Sequence, residues 1–172
     1  MTDPSVTHAT IVLERIYDAS PARVFQALAD PQARARWGVP SKNVELVYDQ
    51  ADFRVGGLDV SRCGPRGNLI YQVETRYMDI EPEQRIVSTE VVREGRNRLS
   101  VSLITVELHA VGASTRLVLT DQIAALGGKD MIAGSEAGFS AALSNLTAEF
   151  ASVTTGSQSD ASDKDGAFVP RQ

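Results

Sequence analysis

Residues 19–40 read Ala-Ser-Pro-Ala-Arg-Val-Phe-Gln-Ala-Leu-Ala-Asp-Pro-Gln-Ala-Arg-Ala-Arg-Trp-Gly-Val-Pro, and their reading decides the fold. Ser20-Pro21 is a helix start: the hydroxyl can cap the first amides, and proline lacks an N–H that would be unsatisfied there anyway. Val24, Phe25 and Leu28 then share one helical face. Asp30-Pro31 repeats the start signal, and a second short helix runs to about Trp37, where Gly38 and Pro40 stop it.

Two short helices in succession need a surface to pack on, and the flanking sequence supplies a sheet. Residues 9–17 are rich in β-branched side chains and read as a strand. From residue 44 to 122 the pattern is strands on short turns. Gly56-Gly57 marks a turn or bulge, and Gly64-Pro65-Arg66-Gly67-Asn68 has hairpin chemistry. Further turns at residues 94–97 and 112–114 separate strands over residues 85–93, 99–110 and 115–122. Consecutive strands on short turns imply an antiparallel meander. A final helix is expected over residues 129–153, where Ile132, Glu136, Phe139, Leu143, Leu146 and Phe150 follow 3–4 spacing.

The expected architecture is α+β. It is a curved antiparallel sheet of about six or seven strands wrapped around the long C-terminal helix, with two short helices after the first strand. Strands twist, so such a sheet curls, and its concave face needs a cover. The final helix carries the only stripe long enough, which leaves room for an internal cavity. Residues 1–8 are expected to be a flexible N-terminus, 9–153 the domain, and the Ser-, Asp- and Gly-rich residues 154–172 a disordered tail.

Composition removes several classes of partner. The chain has 172 residues, 42% hydrophobic and 23% charged, with a formal net charge of −5. That balance argues against nucleic acid and against an anionic membrane surface, both of which select a basic face. No apolar run reaches the roughly 18 residues of a membrane span. Cys63 is the single cysteine, which excludes an intrachain disulfide and fits a reducing, cytoplasmic setting. No signal peptide pattern opens the sequence.

The ordered set of these signals resembles the START-like helix-grip superfamily (SRPBCC). Ala19, Pro21, Val24, Phe25, Asp30, Pro31 and Trp37, with Gly38 and Pro40 behind them, are similar to its opening motif. Within it the branch resembled is that of the activator of heat shock protein 90 ATPase homologues. Residues 115–120 resemble its last strand, and Gly138-Phe139-Ser-Ala-Ala-Leu143-Ser-Asn-Leu146 its final helix. The resemblance covers roughly residues 9–151. Two departures stand out: a single Trp37 followed by Gly38 where relatives carry two Trp, and Phe139 where a Trp is usual. With aromatic content at 6%, a cavity lined more by aliphatics than by rings is expected. The resemblance implies binding of a small, largely hydrophobic molecule, a contact with a chaperone, or cyclase- or hydrolase-like chemistry.

Candidate residues follow from the expected cavity. Trp37, Phe53, Tyr71, Tyr77, Leu119, Asp121, Phe139 and Leu143 are the candidate ligand contacts, with Tyr able to offer a hydroxyl inside an apolar pocket. Asp121 and Glu90 are the candidate catalytic groups. The plain expectation is that both point to solvent; a carboxyl group facing the cavity would instead be desolvated and its pKa raised. Alternation puts Asp121 on the face of Leu117 and Leu119, so it is favoured over Glu90.

The remaining signals carry structural readings. His8 and His109 are the only histidines and lie far apart, so neither a metal nor a cofactor is expected. Residues 133–138 lack the first glycine of a nucleophile elbow. Cys63 reads as a buried small hydrophobe. Gly127-Gly128-Lys129-Asp130 reads as the start of the last helix, with Asp130 near its positive end. Arg93, Arg96 and Arg98 read as a solvated hairpin tip, and Arg34 and Arg36 read as solvated in the same way. Open sheet edges admit a homodimer.

Overall fold

The computed structural model describes residues 5–151; residues 1–4 and 152–172, with the expected tail at 154–172 and the expected helix end at Val153, lie outside the described residues. Seven antiparallel strands form one sheet: β1 (Thr7–Tyr17), β2 (Val44–Gln50), β3 (Leu58–Pro65), β4 (Tyr71–Glu81), β5 (Arg85–Glu94), β6 (Asn97–Val111) and β7 (Ser114–Ala125). The order across the sheet is β1-β7-β6-β5-β4-β3-β2. Strands β2 to β7 form the meander, and β1 returns to lie beside β7, from Thr7 opposite Ala125 to Tyr17 opposite Thr115. Strand β1 starts at Thr7, two residues before the expected position, because the Thr7 and His8 backbones still find partners on β7.

Helices α1 (Pro21–Ala29) and α2 (Pro31–Trp37) carry the chain from one edge of the sheet to the other. Both starts are built as the sequence indicates. The Ser20 hydroxyl accepts from the Arg23 amide at 3.4 Å, and Asp30 Oδ1 accepts from the Gln32 amide at 2.9 Å. Helix α3 (Asp130–Leu146) is followed by one turn, α4 (Ala148–Ala151), so the expected single helix over 129–153 is interrupted at Thr147. Asp130 does sit in the first turn of α3.

Register shifts at Tyr48/Gln50, Tyr77/Asp79 and opposite Val92/Arg93 are bulges that bend β2, β4 and β6 around the concave side. There Tyr17, Val24, Leu28, Leu117, Leu119, Leu143, Leu146 and Phe150 form the apolar core. Two polar contacts pin the helices to it. The Tyr17 hydroxyl donates to the Leu143 carbonyl at 2.7 Å, and the Thr115 hydroxyl donates to the Ala19 carbonyl at 2.7 Å. No helix among the described residues is long and apolar enough to cross a membrane.

Candidate functional site

Between the sheet, α2 and the second half of α3 lies a cavity of about 160 Å³. Its walls include Trp37, Tyr48, Phe53, Tyr77 and Phe139, with Leu28, Leu117, Leu119 and Leu143 between them. Aliphatic side chains outnumber rings in the lining, as expected, yet five of the chain's ten aromatic side chains converge here. Trp37 spends its polar handle on structure, with Nε1 donating to the Ala27 carbonyl at 3.0 Å, so only its ring is left to touch a ligand. Phe25, Phe53 and Tyr77 form a chain of edge-to-face contacts, at 5.8 and 4.8 Å between centroids, that braces one wall.

One end of the cavity is polar, and it is built around a residue expected in solvent. Arg34 is 8% exposed. It lies three residues before Trp37 on α2, so both share one helical face, whereas Arg36 points outward to Glu149. Arg34 Nη1 donates to Asp59 Oδ2 at 2.5 Å and to the Tyr77 hydroxyl. Tyr77 donates in turn to Asp59 Oδ2 at 2.6 Å, and Asp59 Oδ1 accepts from the Asp52 amide at 2.7 Å. The tight turn before β3 makes that last bond. At Gly57 a Cβ would stand 2.0 Å from the Asp52 carbonyl oxygen, so only glycine lets the loop fold back this closely. The Arg34 guanidinium stacks over Tyr48, 4.8 Å from ring centroid to guanidinium carbon, and lies 5.8 Å from the Phe53 centroid.

Burial sets the proton chemistry. It pushes the phenol of Tyr48 up to about 12, and that of Tyr77 further still, so both stay protonated donors at neutral pH. Burial would lower the Arg34 pKa, but Tyr48, Tyr77 and Asp59 more than offset it, and the guanidinium keeps its charge.

Glu90, on β5 opposite Thr75, lines the cavity, contrary to the expectation of solvent. Its carboxyl is pushed up to about 7, first by burial and then by the Asp121 carboxylate, against a hydrogen bond from Thr75. Asp121 is also turned inward and is fully buried. Its Oδ2 accepts from the Ser135 hydroxyl on α3 at 2.8 Å, and its Oδ1 has no partner. Asp121 is absent from the cavity wall, so of the two carboxyl groups Glu90 is the one a ligand can meet.

The remaining sequence candidates divide. Trp37, Phe53, Tyr77, Leu119, Phe139 and Leu143 are brought together on the cavity; Tyr71 shares the concave parity of β4 but stands at its far end, paired with Cys63 and Glu94. Arg34, Tyr48 and Asp59 were missed. Cys63 is half-buried, and burial raises its thiol pKa, in keeping with an inert side chain. Arg96 and Arg98 are exposed as expected, while Arg93 is half-buried, 3.6 Å from Glu74. Among the described residues no group of three or more His, Cys, Asp or Glu side chains is placed to hold a metal ion.

Comparison with known proteins bears on this geometry. Residues 18–151 match the family described as activator of Hsp90 ATPase homolog 1-like protein. The crystal structure of the Mll3558 protein from Rhizobium loti is 41% identical, with a TM-score of 0.75 over 84% of this chain and 99% of that one. A protein of Rhizobium leguminosarum is 30% identical, with a TM-score of 0.76 over 86% of this chain and 97% of that one. CalU16 from Micromonospora echinospora, 22% identical with a TM-score of 0.58 over 84% of each chain, shares the fold. No curated protein matches the sequence.

Proposed function

The chain belongs to the activator of Hsp90 ATPase homolog 1-like family, and within it we propose that this member binds a small, largely apolar molecule in the cavity between its sheet and α3. The observation that carries the reading is the cavity itself: about 160 Å³, walled by five aromatic rings and closed at one end by a fixed polar cluster. Ligand sites combine an apolar wall with a few convergent polar groups in this way. The volume sets the scale. A void on the order of 150 Å³ admits benzene, so the ligand is one ring or a short chain rather than a lipid. Stimulation of a heat shock protein 90 ATPase rests on the family description alone, whereas the cavity rests on this chain's own residues.

Ligand-dependent thermal stability tests the reading. Toluene or phenol raises the Tm of the wild-type protein, because anything that binds only the folded state stabilises it by mass action. Ala142→Phe, which fills the cavity from α3, abolishes that rise. Equal responses of the two proteins, or none from either, would overturn ligand binding here.

A second reading has one observation in its favour. A carboxyl group held at about 7 can both give and take a proton at neutral pH, and Glu90 is such a group on the cavity wall. In that reading Glu90 is the acid or base of a cyclase- or hydrolase-like reaction on the bound molecule.

A further inference from the structure

The polar end of the cavity has donors left over. Arg34 Nη1 is committed to Asp59 and Tyr77. Both oxygens of Asp59 are taken, Oδ1 by the Asp52 amide and Oδ2 by Tyr77 and Arg34. Arg34 Nε and Nη2 are buried and have no partner. Buried N–H groups without an acceptor are costly and rare in folded proteins, and two on one side chain ask for an explanation.

Their placement supplies one. Nε–H and the adjacent Nη2–H form a parallel edge of the guanidinium, the edge that grips two carboxylate oxygens at once. The flat faces lie against Tyr48 and Phe53, which holds the plane of the group fixed. Asp59, on the opposite side, fixes its rotation. The rest of the wall is apolar and aromatic, and the volume suits a single ring.

We infer that the ligand is a small apolar carboxylate, its two oxygens accepting from Arg34 Nε and Nη2 and its body packed against Trp37 and Phe139. This inference rests on the ligand-binding reading and narrows it. Both donors are shielded from solvent, which strengthens a charge-assisted bond made to them. The selectivity is one of charge and shape together. A neutral molecule of equal size fills the same space but leaves the fork unpaired.

Benzoate, benzamide and toluene separate the two ideas. In the wild-type protein benzoate binds at least about tenfold more tightly than benzamide or toluene, the effect expected of a charge-assisted pair of hydrogen bonds. The Arg34 Nε–H resonance, followed by NMR, moves with benzoate and stays put with toluene. The double variant Arg34→Met with Asp59→Asn removes both charges together and keeps the Asp52 and Tyr77 bonds to residue 59. It retains toluene binding and loses the preference for benzoate. An unmoved Arg34 resonance, or equal affinities for benzoate and benzamide, overturns the carboxylate assignment. If toluene still binds in that case, the cavity reading stands without it; if none of the three binds, both fall.

Discussion

The concave side of the sheet has two ends that obey opposite rules. Where β1 and β7 meet α1, α3 and α4, the inward residues Tyr17, Val24, Leu146 and Phe150 lie off the cavity wall, and the packing is closed. Where β3, β4 and β5 pass beneath α2, the inward residues include Asp59, Ser61, Tyr77, Ser88 and Glu90, and the packing leaves a cavity. The first end stabilises the fold through apolar area removed from water. The second forgoes part of that stabilisation by burying polar groups, which natural chains do chiefly where a ligand or a reaction requires it.

Three substitutions sharpen the contrast. The largest effect is expected at Leu146, 0% exposed at the apolar end. Leu146→Ala lowers the free energy of unfolding by about 2–5 kcal/mol in a urea titration, the usual cost of a core truncation with its residual void. A loss below about 1 kcal/mol would mean the apolar end is not the part that carries the fold.

An intermediate effect of opposite sign is expected at Glu90. The folded state raises this carboxyl from 4.5 to about 7, so between those values the folded protein binds the proton more tightly than the unfolded chain. Stability contributed by the site is therefore present below pH 4.5 and is lost as the pH rises through about 7. Glu90→Gln removes that loss. It is more stable than wild type at pH 8 by on the order of 1–3 kcal/mol, and the difference shrinks toward pH 5. A difference that does not vary with pH would show that Glu90 does not titrate in this window.

The smallest effect is expected on the convex side, where Val12 is 60% exposed. Val12→Thr changes stability by less than about 0.5 kcal/mol and leaves ligand binding unaltered. A large change would mean that another surface covers this strand.

The two ends also differ in how far the sequence discloses them. The caps at Ser20 and Asp30, the turn glycines and the stripe through Leu143 and Leu146 act locally, so their residue types announce them. The polar end reverses the usual pattern. In β3, Leu58 and Val60 alternate with Asp59 and Ser61, yet it is Asp59 and Ser61 that are buried. In β6, Ser100 and Ser102 face inward while Val101 and Leu103 face out. Hydrophobic alternation therefore points to the wrong face at the cavity. Arg34 was the costlier miss, because a charged side chain on a short helix is ordinarily solvated. Its spacing from Trp37 was the one available signal. Its partner Asp59 is joined to it only by tertiary structure. The same holds for Glu90 and Asp121, which sit on strands two apart and meet only when the sheet bends.

The return of β1 to β7 has a consequence for the order in which the molecule is made. Strands β3 to β7 each pair with the strand just synthesised, so the meander can assemble as it emerges from the ribosome. Strand β1 emerges first, yet its partners run from Thr115 to Ala125. At about 5–20 residues per second, roughly a hundred residues of delay leave this strand unpaired for some 5–20 seconds. Its alternation of Val12 and Ile16 with Ile11 and Leu13 makes it apolar on both faces during that interval. The segment that closes the finished sheet is thus the one that waits longest for a partner, and misfolding during synthesis would start there.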